Sequence, residues 1–188
     1  MSSLAWTLVA LLVVCALAGY LSATAQRLDR LHHRVETSRA GLEVELTRRA
    51  SAALELATGG ELDPATSLIL ADAATASLDA PRTPAALRDA TDADDAARWT
   101  AESGLTRALG VVLPPGHPAA GRVRDAAHRV ELARRFHNDA VVQTRRLRAK
   151  RVVRWARLAG HARLPETADF DDGSAGGGPE EAAGRNVR

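Results

Sequence analysis

The stretch LAWTLVALLVVCALAGYL, Leu4–Leu21, contains no charged residue and decides the fold of the first part of the chain. A helix of this length is close to what is needed to cross the hydrocarbon core of a bilayer. Trp6 and Tyr20 lie near its two ends, where amphipathic rings prefer the headgroup region. We therefore expect a transmembrane helix over residues 4–22, preceded by a short N-terminus of residues 1–3.

A cleaved secretory signal is the alternative explanation, and Ala16-Leu17-Ala18 would offer it a small-residue cleavage site. A signal also requires a positively charged segment before the apolar run, and no Lys or Arg precedes Leu4. The sequence therefore favours a retained anchor. Cys15 is the only cysteine and lies inside the apolar run, which excludes a disulfide framework and a thiolate metal cluster.

The charges that flank the apolar run predict its orientation. Arginine side chains follow the run closely, at Arg27, Arg30, Arg34 and Arg39. Because basic residues are retained on the cytoplasmic side of membranes, we expect an extracytoplasmic N-terminus. The rest of the chain would then lie in the cytoplasm, as the body of a single-pass protein of the cell membrane.

Composition and periodicity predict an all-α fold. The 188 residues are 46% hydrophobic but only 3% aromatic, and a core of alanine and leucine favours closely packed helices over sandwiches or barrels. From Leu28 onward, apolar residues recur at spacings of three and four, as on one face of a helix. We expect the anchor and the first cytoplasmic helix to form one continuous rod.

Turn and capping residues divide the remaining chain. The rod should end at Gly59-Gly60. Asp63-Pro64 and Thr83-Pro84 each resemble an N-cap followed by proline, so they predict helices reaching about residues 79 and 113. A fourth helix is expected from about residue 119 to 159. Together, residues 23–160 should form a helical bundle, followed by a disordered tail of Gly, Pro and acidic residues over 161–188.

The small net charge of +2 conceals a basic last helix and an acidic middle. Thirteen basic residues stand against three acids between Arg122 and Arg163, whereas eight acids stand against two arginines between Glu61 and Asp95. A basic strip beside apolar residues is typical of helices that contact anionic lipid. The residues of this possible lipid contact are Arg146, Lys150, Arg154, Arg157 and Trp155. A merely solvated basic face is the alternative.

The sequence Phe136-His137-Asn138-Asp139 places potentially catalytic side chains together, but adjacent residues on a helix point apart. The helical neighbours of His137 include no metal ligand, and the chain has no phosphate-binding loop or recognisable triad. We expect no enzyme, cofactor, metal or small-molecule substrate. In this pattern Phe136 is expected to face the bundle with Val130 and Ala140.

Two further stretches of the sequence resemble those of a known protein family. RRFHNDAV, Arg134–Val141, is similar to the Arg-Gln-Phe-Tyr-Asn-Asp-x-Val stretch of the LemA family, and RVETSRAGLEVELTRR, Arg34–Arg49, is similar to that family's first-helix stretch. The resemblance implies one membrane span and an antiparallel four-helix bundle, without an established reaction or cofactor. In such a bundle, charge-assisted hydrogen bonds between helices suit four residues of these stretches: Arg48, Arg49, Asn138 and Asp139.

These patterns predict a membrane-anchored scaffold whose partners are the lipid bilayer and proteins not identifiable from the sequence. Binding to anionic lipid surfaces through the arginine-rich last helix is the alternative function. Nucleic-acid binding is disfavoured, because the chain is anchored, aromatic-poor and contains one lysine, Lys150.

Overall fold

The computed structural model describes residues 3–81, 92–113, 120–150, 153 and 164–171. Within these ranges every regular element is helical and no strand occurs, which confirms the all-α prediction. Four helices are described: α1 spans Ser3–Thr58, α2 spans Pro64–Asp79, α3 spans Asp92–Val112 and α4 spans Gly121–Arg148. The predicted starts of the third and fourth helices, at Pro84 and Ala119, lie outside the described residues.

Helix α1 is a continuous helix of 56 residues that contains no proline. It is the one described helix that is long and apolar enough to cross a membrane. It ends before Gly59-Gly60, and Gly60 has a φ of 76°. Glycine adopts this left-handed conformation at little cost, and it commonly terminates helices in this way.

Local capping explains the start of α2. Asp63 Oδ1 accepts hydrogen bonds of 3.1 Å from the backbone N–H groups of Ala65 and Thr66. Pro64 occupies the first turn, where a missing N–H costs nothing. Hydrogen bonds from the side chain and backbone of Thr66, together with that of Ala65, lower the pKa of Asp63. This N-cap follows directly from the local sequence.

The chain forms two compact units, and α1 and α4 contribute residues to both. The first unit comprises residues 1–38 and 138–167. Its core consists of two small clusters, one of Leu28, Leu147 and Val153, the other of Val35, Ala140 and Val141. The apolar start of α1 also belongs to this unit, and its side chains are exposed rather than packed against protein.

The second unit comprises residues 39–137 and 168–188 and contains the larger core. Alanine and leucine dominate the main cluster, whose buried members are Ala50, Ala53, Leu56, Ala57, Leu70, Ala74, Leu105, Val112 and Val123. A second cluster combines Leu42, Leu46 and Val130 with Ala168 and Phe170. Small side chains allow helices to approach closely, so this unit packs without many aromatic rings.

Phe170 gives an unexpected result, because it lies in the segment predicted to be a disordered tail. Residues 164–171 have no regular secondary structure, yet Ala168 and Phe170 are buried. The Phe170 ring stacks on Trp99 with centroids 5.3 Å apart. The composition of the tail suggested nothing to bury, but one ring with a matching surface is enough to hold a short segment. The rest of the predicted tail, residues 161–163 and 172–188, lies outside the described residues.

Candidate functional site

Four charged side chains form a buried ion network in the second unit. Glu43 and Arg49 come from α1, and Arg98 and Glu102 come from α3. The side chains of Arg49, Arg98 and Glu102 are at most 2% exposed, and that of Glu43 is 10% exposed. Two positive and two negative charges balance, which is the condition under which buried charges are tolerated.

Glu102 lies at the centre of this ion network. Its Oε2 accepts a 2.7 Å hydrogen bond from Arg49 Nη2, and its Oε1 lies 2.9 Å from Arg98 Nη1. Ser77 of α2 donates its hydroxyl to the same Oε1 at 2.8 Å. One carboxylate therefore joins side chains from three helices.

Arg98 extends the ion network in two further directions. Its Nη2 donates to Glu43 Oε2 at 2.8 Å, and its Nη1 donates to the backbone carbonyl of Ser77 at 2.7 Å. Arg49 is held similarly, with Nη1 donating to Thr106 Oγ1 at 3.1 Å. Because charge-assisted hydrogen bonds are directional and a planar guanidinium fixes several at once, these contacts set the register of α1, α2 and α3.

Burial also affects the acid–base behaviour of Glu43. Loss of solvation raises the pKa of Glu43, and the nearby guanidinium groups of Arg98 and Arg39 oppose this shift without cancelling it. Above its raised pKa, ionised Glu43 therefore destabilises the folded state relative to the unfolded chain. This penalty disappears as the pH falls below the ordinary pKa of glutamate.

We therefore expect Glu43→Gln to flatten the pH dependence of stability. Between the ordinary pKa of glutamate and the raised pKa of folded Glu43, the folded parent binds a proton that the unfolded chain lacks. The stability of the parent should therefore fall as pH rises through that window. Urea unfolding of parent and variant at a series of pH values measures this. Identical slopes in the window would contradict the expectation, and the exposed Glu55→Gln variant is the control.

A second polar feature of this unit is a stack of two rings between two guanidinium groups. Arg39 lies over the Trp99 ring at 5.8 Å, and Arg134 lies over the Phe170 ring at 5.6 Å. Arg39 also forms an ion pair with Asp95. We call Arg39, Trp99, Phe170 and Arg134 the aromatic stack. It fastens residues 168–171 to the helices.

The predicted interhelical residues are placed as follows. Arg49 makes interhelical contacts, but its partners are Glu102 and Thr106 of α3 rather than residues of α4. Arg48 is exposed and pairs with Glu45 within α1. Asn138 is half-buried, and Asp139 is exposed. Arg49 thus contacts α3, and the interhelical role expected for Asn138 and Asp139 stays a prediction.

The predicted orientation of Phe136 is wrong. Phe136 is 59% exposed, whereas His137 is 1% exposed and lies in the core. His137 follows Val130 by seven residues and precedes Val141 and Thr144 by four and seven, and all of these are buried. The buried stripe of α4 therefore passes through His137, and Phe136 lies about 100° around the helix from it.

A signal for the ion network was present in the sequence. Arg49 falls on the apolar stripe of Leu42, Leu46 and Ala53, and a charged residue in such a position requires a buried partner. Arg98 and Glu102 similarly continue into the stripe of Leu105 and Val112. The sequence indicates buried charges at these positions, although it does not indicate which charges meet.

The first unit contains a basic groove of about 290 Å³, lined by Arg27 and Leu31 of α1 and by Gln143, Arg146, Leu147 and Lys150. Two predicted lipid contacts, Arg146 and Lys150, thus line the groove together with Arg27. In the sequence, Arg27 indicated only the orientation of the membrane span. The other three, Arg154, Trp155 and Arg157, lie outside the described residues. The arrangement offers cationic groups to an anion.

Among the described residues, no group of three or more His, Cys, Asp or Glu side chains is placed to hold a metal ion. Comparison of the chain with protein-family models, curated proteins and solved structures finds no match. The similarity of Arg34–Arg49 and Arg134–Val141 to the LemA family therefore stays a prediction from sequence.

Proposed function

We propose that this chain is a non-enzymatic, single-pass protein of the cell membrane, which holds a helical scaffold at the cytoplasmic surface for protein partners. The observation that supports anchoring is the exposure of the apolar start of α1. Nine large apolar or aromatic side chains there are between 49% and 69% exposed: Trp6, Leu8, Val9, Leu11, Leu12, Val13, Val14, Leu17 and Tyr20.

Physical cost supports the membrane as the environment of this segment. Burying one large apolar side chain is worth roughly 1.5–3 kcal/mol, so leaving nine in water would be strongly unfavourable. A helix satisfies its own backbone hydrogen bonds and can therefore enter hydrocarbon. Arg27, Arg30 and Arg34 follow the apolar segment, which favours a cytoplasmic position for the remaining helices.

The order of the packing clusters supports an antiparallel bundle for the scaffold. In the first unit, Leu28 clusters with Leu147, and Val35 clusters with Ala140 and Val141. In the second unit, Leu42 clusters with Val130, and Ala57 belongs to the same cluster as Val123. Within each unit, higher numbers on α1 thus accompany lower numbers on α4, as expected for antiparallel neighbours.

The ion network and the aromatic stack favour a scaffold over an enzyme. Their charged groups are directed at each other, which makes the second unit a well-specified body with many exposed faces. We infer that such faces bind partner proteins at the membrane. Crosslinking in native membranes followed by mass spectrometry identifies these partners, and recovery of none would count against the scaffold role.

Cysteine labelling tests the anchor and its orientation. In a Cys15→Ala background, Ser2→Cys should react with a membrane-impermeant maleimide in intact cells, whereas Ser174→Cys should react only after permeabilisation. The opposite pattern would overturn the orientation. Release of the chain by alkaline carbonate, or a mature N-terminus at Gly19, would overturn the anchor itself.

A further inference from the structure

Three cationic side chains converge on the basic groove from two helices. Arg27 lies on α1, Arg146 lies in the last turn of α4, and Lys150 follows α4 directly. All three are exposed. None of their side chains forms an ion pair or hydrogen bond with another residue in the described part of the chain. The groove therefore has three positive charges available for a ligand.

The surroundings of the groove add to its positive potential. Arg145 and Arg148 lie in the same last turn of α4. Burial, followed in size by the Arg148 guanidinium, lowers the pKa of His32 on α1, which places His32 close to this positive charge. Asp29 and Glu36 are nearby acids that oppose it. The balance of charge around the groove remains positive.

The position of the groove along α1 specifies where its ligand would come from. The helix from Ser3 to Gln26 contains no charged residue and is about 36 Å long at 1.5 Å per residue. A bilayer has a hydrocarbon core of about 30 Å and a total thickness of about 40–45 Å. Arg27, the first charged residue, then lies at the level of the lipid headgroups.

We propose that the basic groove binds the phosphate group of an anionic phospholipid from the leaflet in which α1 is anchored. This proposal rests on the membrane anchoring proposed above. Arg27 and Arg146 suit the phosphate because a guanidinium can donate two parallel hydrogen bonds to its oxygens. Lys150 adds a point charge, and Gln143 can donate an amide N–H.

The apolar lining explains why the ligand is a lipid rather than a soluble phosphate. The half-buried Leu31 and the small exposed part of Leu147 lie in the same groove as the charged groups, and they give the first acyl carbons a limited apolar surface. A soluble phosphate would use only the charges. Lipid binding also requires no transfer from solution, because the groove lies beside the anchor.

Native mass spectrometry of the full chain, released from a neutral detergent, tests this proposal. Phosphatidylglycerol, phosphatidylcholine and inorganic phosphate are titrated separately. We expect one phosphatidylglycerol to bind more tightly than phosphatidylcholine. We also expect inorganic phosphate to bind more weakly than phosphatidylglycerol. Each cationic group near an anionic surface is worth roughly a five-fold change in affinity, so replacing all three should weaken phosphatidylglycerol binding at least about ten-fold after screening.

The variants are a triple substitution, Arg27→Gln, Arg146→Gln and Lys150→Gln, and a charge-matched control, Arg107→Gln, Arg122→Gln and Arg129→Gln, at exposed positions of the second unit. The control should bind phosphatidylglycerol as the parent does, and Lys150→Arg should do the same. Equal weakening in both triple variants would overturn a specific groove, as would no weakening in either. Inorganic phosphate binding as tightly as phosphatidylglycerol would overturn the lipid as the source.

Carbonate extraction of the same proteins separates this proposal from the anchoring. A chain that stays in the membrane without preferring phosphatidylglycerol overturns the groove proposal alone. A chain that carbonate releases overturns the anchoring. Should the triple variant lose helical circular dichroism, the single Lys150→Gln variant decides the matter, and its parent-like affinity for phosphatidylglycerol would count against the proposal.

Discussion

Glu102→Ala is expected to destabilise the second unit by about 3–5 kcal/mol, the cost of removing one partner from a buried ion pair. The Glu102 side chain is 0% exposed and contacts both Arg49 and Arg98. Its loss leaves two guanidinium groups buried with one carboxylate, Glu43, to balance them. Urea unfolding of the full chain in a neutral detergent, followed by circular dichroism, measures the change.

A matched control separates burial from charge. Glu55 also pairs with an arginine of another helix, Arg122, but both side chains are more than half exposed. Glu55→Ala should therefore change the free energy of unfolding by less than about 1 kcal/mol, as for most surface pairs. A comparable loss in both variants would contradict the role assigned to the ion network.

A double-mutant cycle tests whether Glu102 and Arg49 act as a pair. Arg49→Met and Glu102→Gln should each be costly, because each leaves a buried partner unsatisfied. The double variant should be less destabilised than the sum of the two single variants, since it removes the charges together. Strict additivity would mean that the 2.7 Å contact contributes no coupling.

Phe170→Ala is the second substitution with a large expected effect, a loss of about 2–3 kcal/mol. Truncating a buried phenylalanine in a core costs about 3–5 kcal/mol. The lower figure applies because a segment without regular secondary structure can detach locally and so limit the loss. The substitution would remove the ring stacked on Trp99 and the cation–π contact of Arg134.

Two measurements check the Phe170 prediction. The free energy of unfolding should fall, and trypsin should cleave after Arg163 faster than in the parent, because residues 164–171 would be released. Leu164→Ala is the control, since Leu164 lies in the same segment but is 54% exposed. Parent-like stability and cleavage in Phe170→Ala would show that the aromatic stack does not hold the segment.

Truncations extend the same comparison. A chain ending at Asp172 retains Phe170 and should unfold like the full chain, because the composition of residues 173–188 predicts disorder and a disordered segment contributes no burial. A chain ending at Arg163 should lose about as much stability as Phe170→Ala. Equal stability of the two truncations would contradict a structural role for Ala168 and Phe170.

Some features of the fold could be predicted from short stretches of the sequence. The apolar segment, the end of α1 and the start of α2 follow from local chemistry. Their signals are a charge-free run, two adjacent glycines, and an aspartate before a proline. These signals act over a few residues and need no partner elsewhere. The buried position of Arg49 was also implied, because a charge on an apolar stripe must be neutralised.

The tertiary structure alone decided which groups meet. The partner of Arg49 is Glu102 of α3, because the packing of the helices determines which carboxylate reaches the guanidinium. The exposure of Phe136 and burial of His137 depend on a rotation of α4 that periodicity fixes only within one residue. Phe170 is buried because Trp99 and Arg134 together offer its ring a surface, and no local pattern within residues 164–171 describes a surface built from α3 and α4.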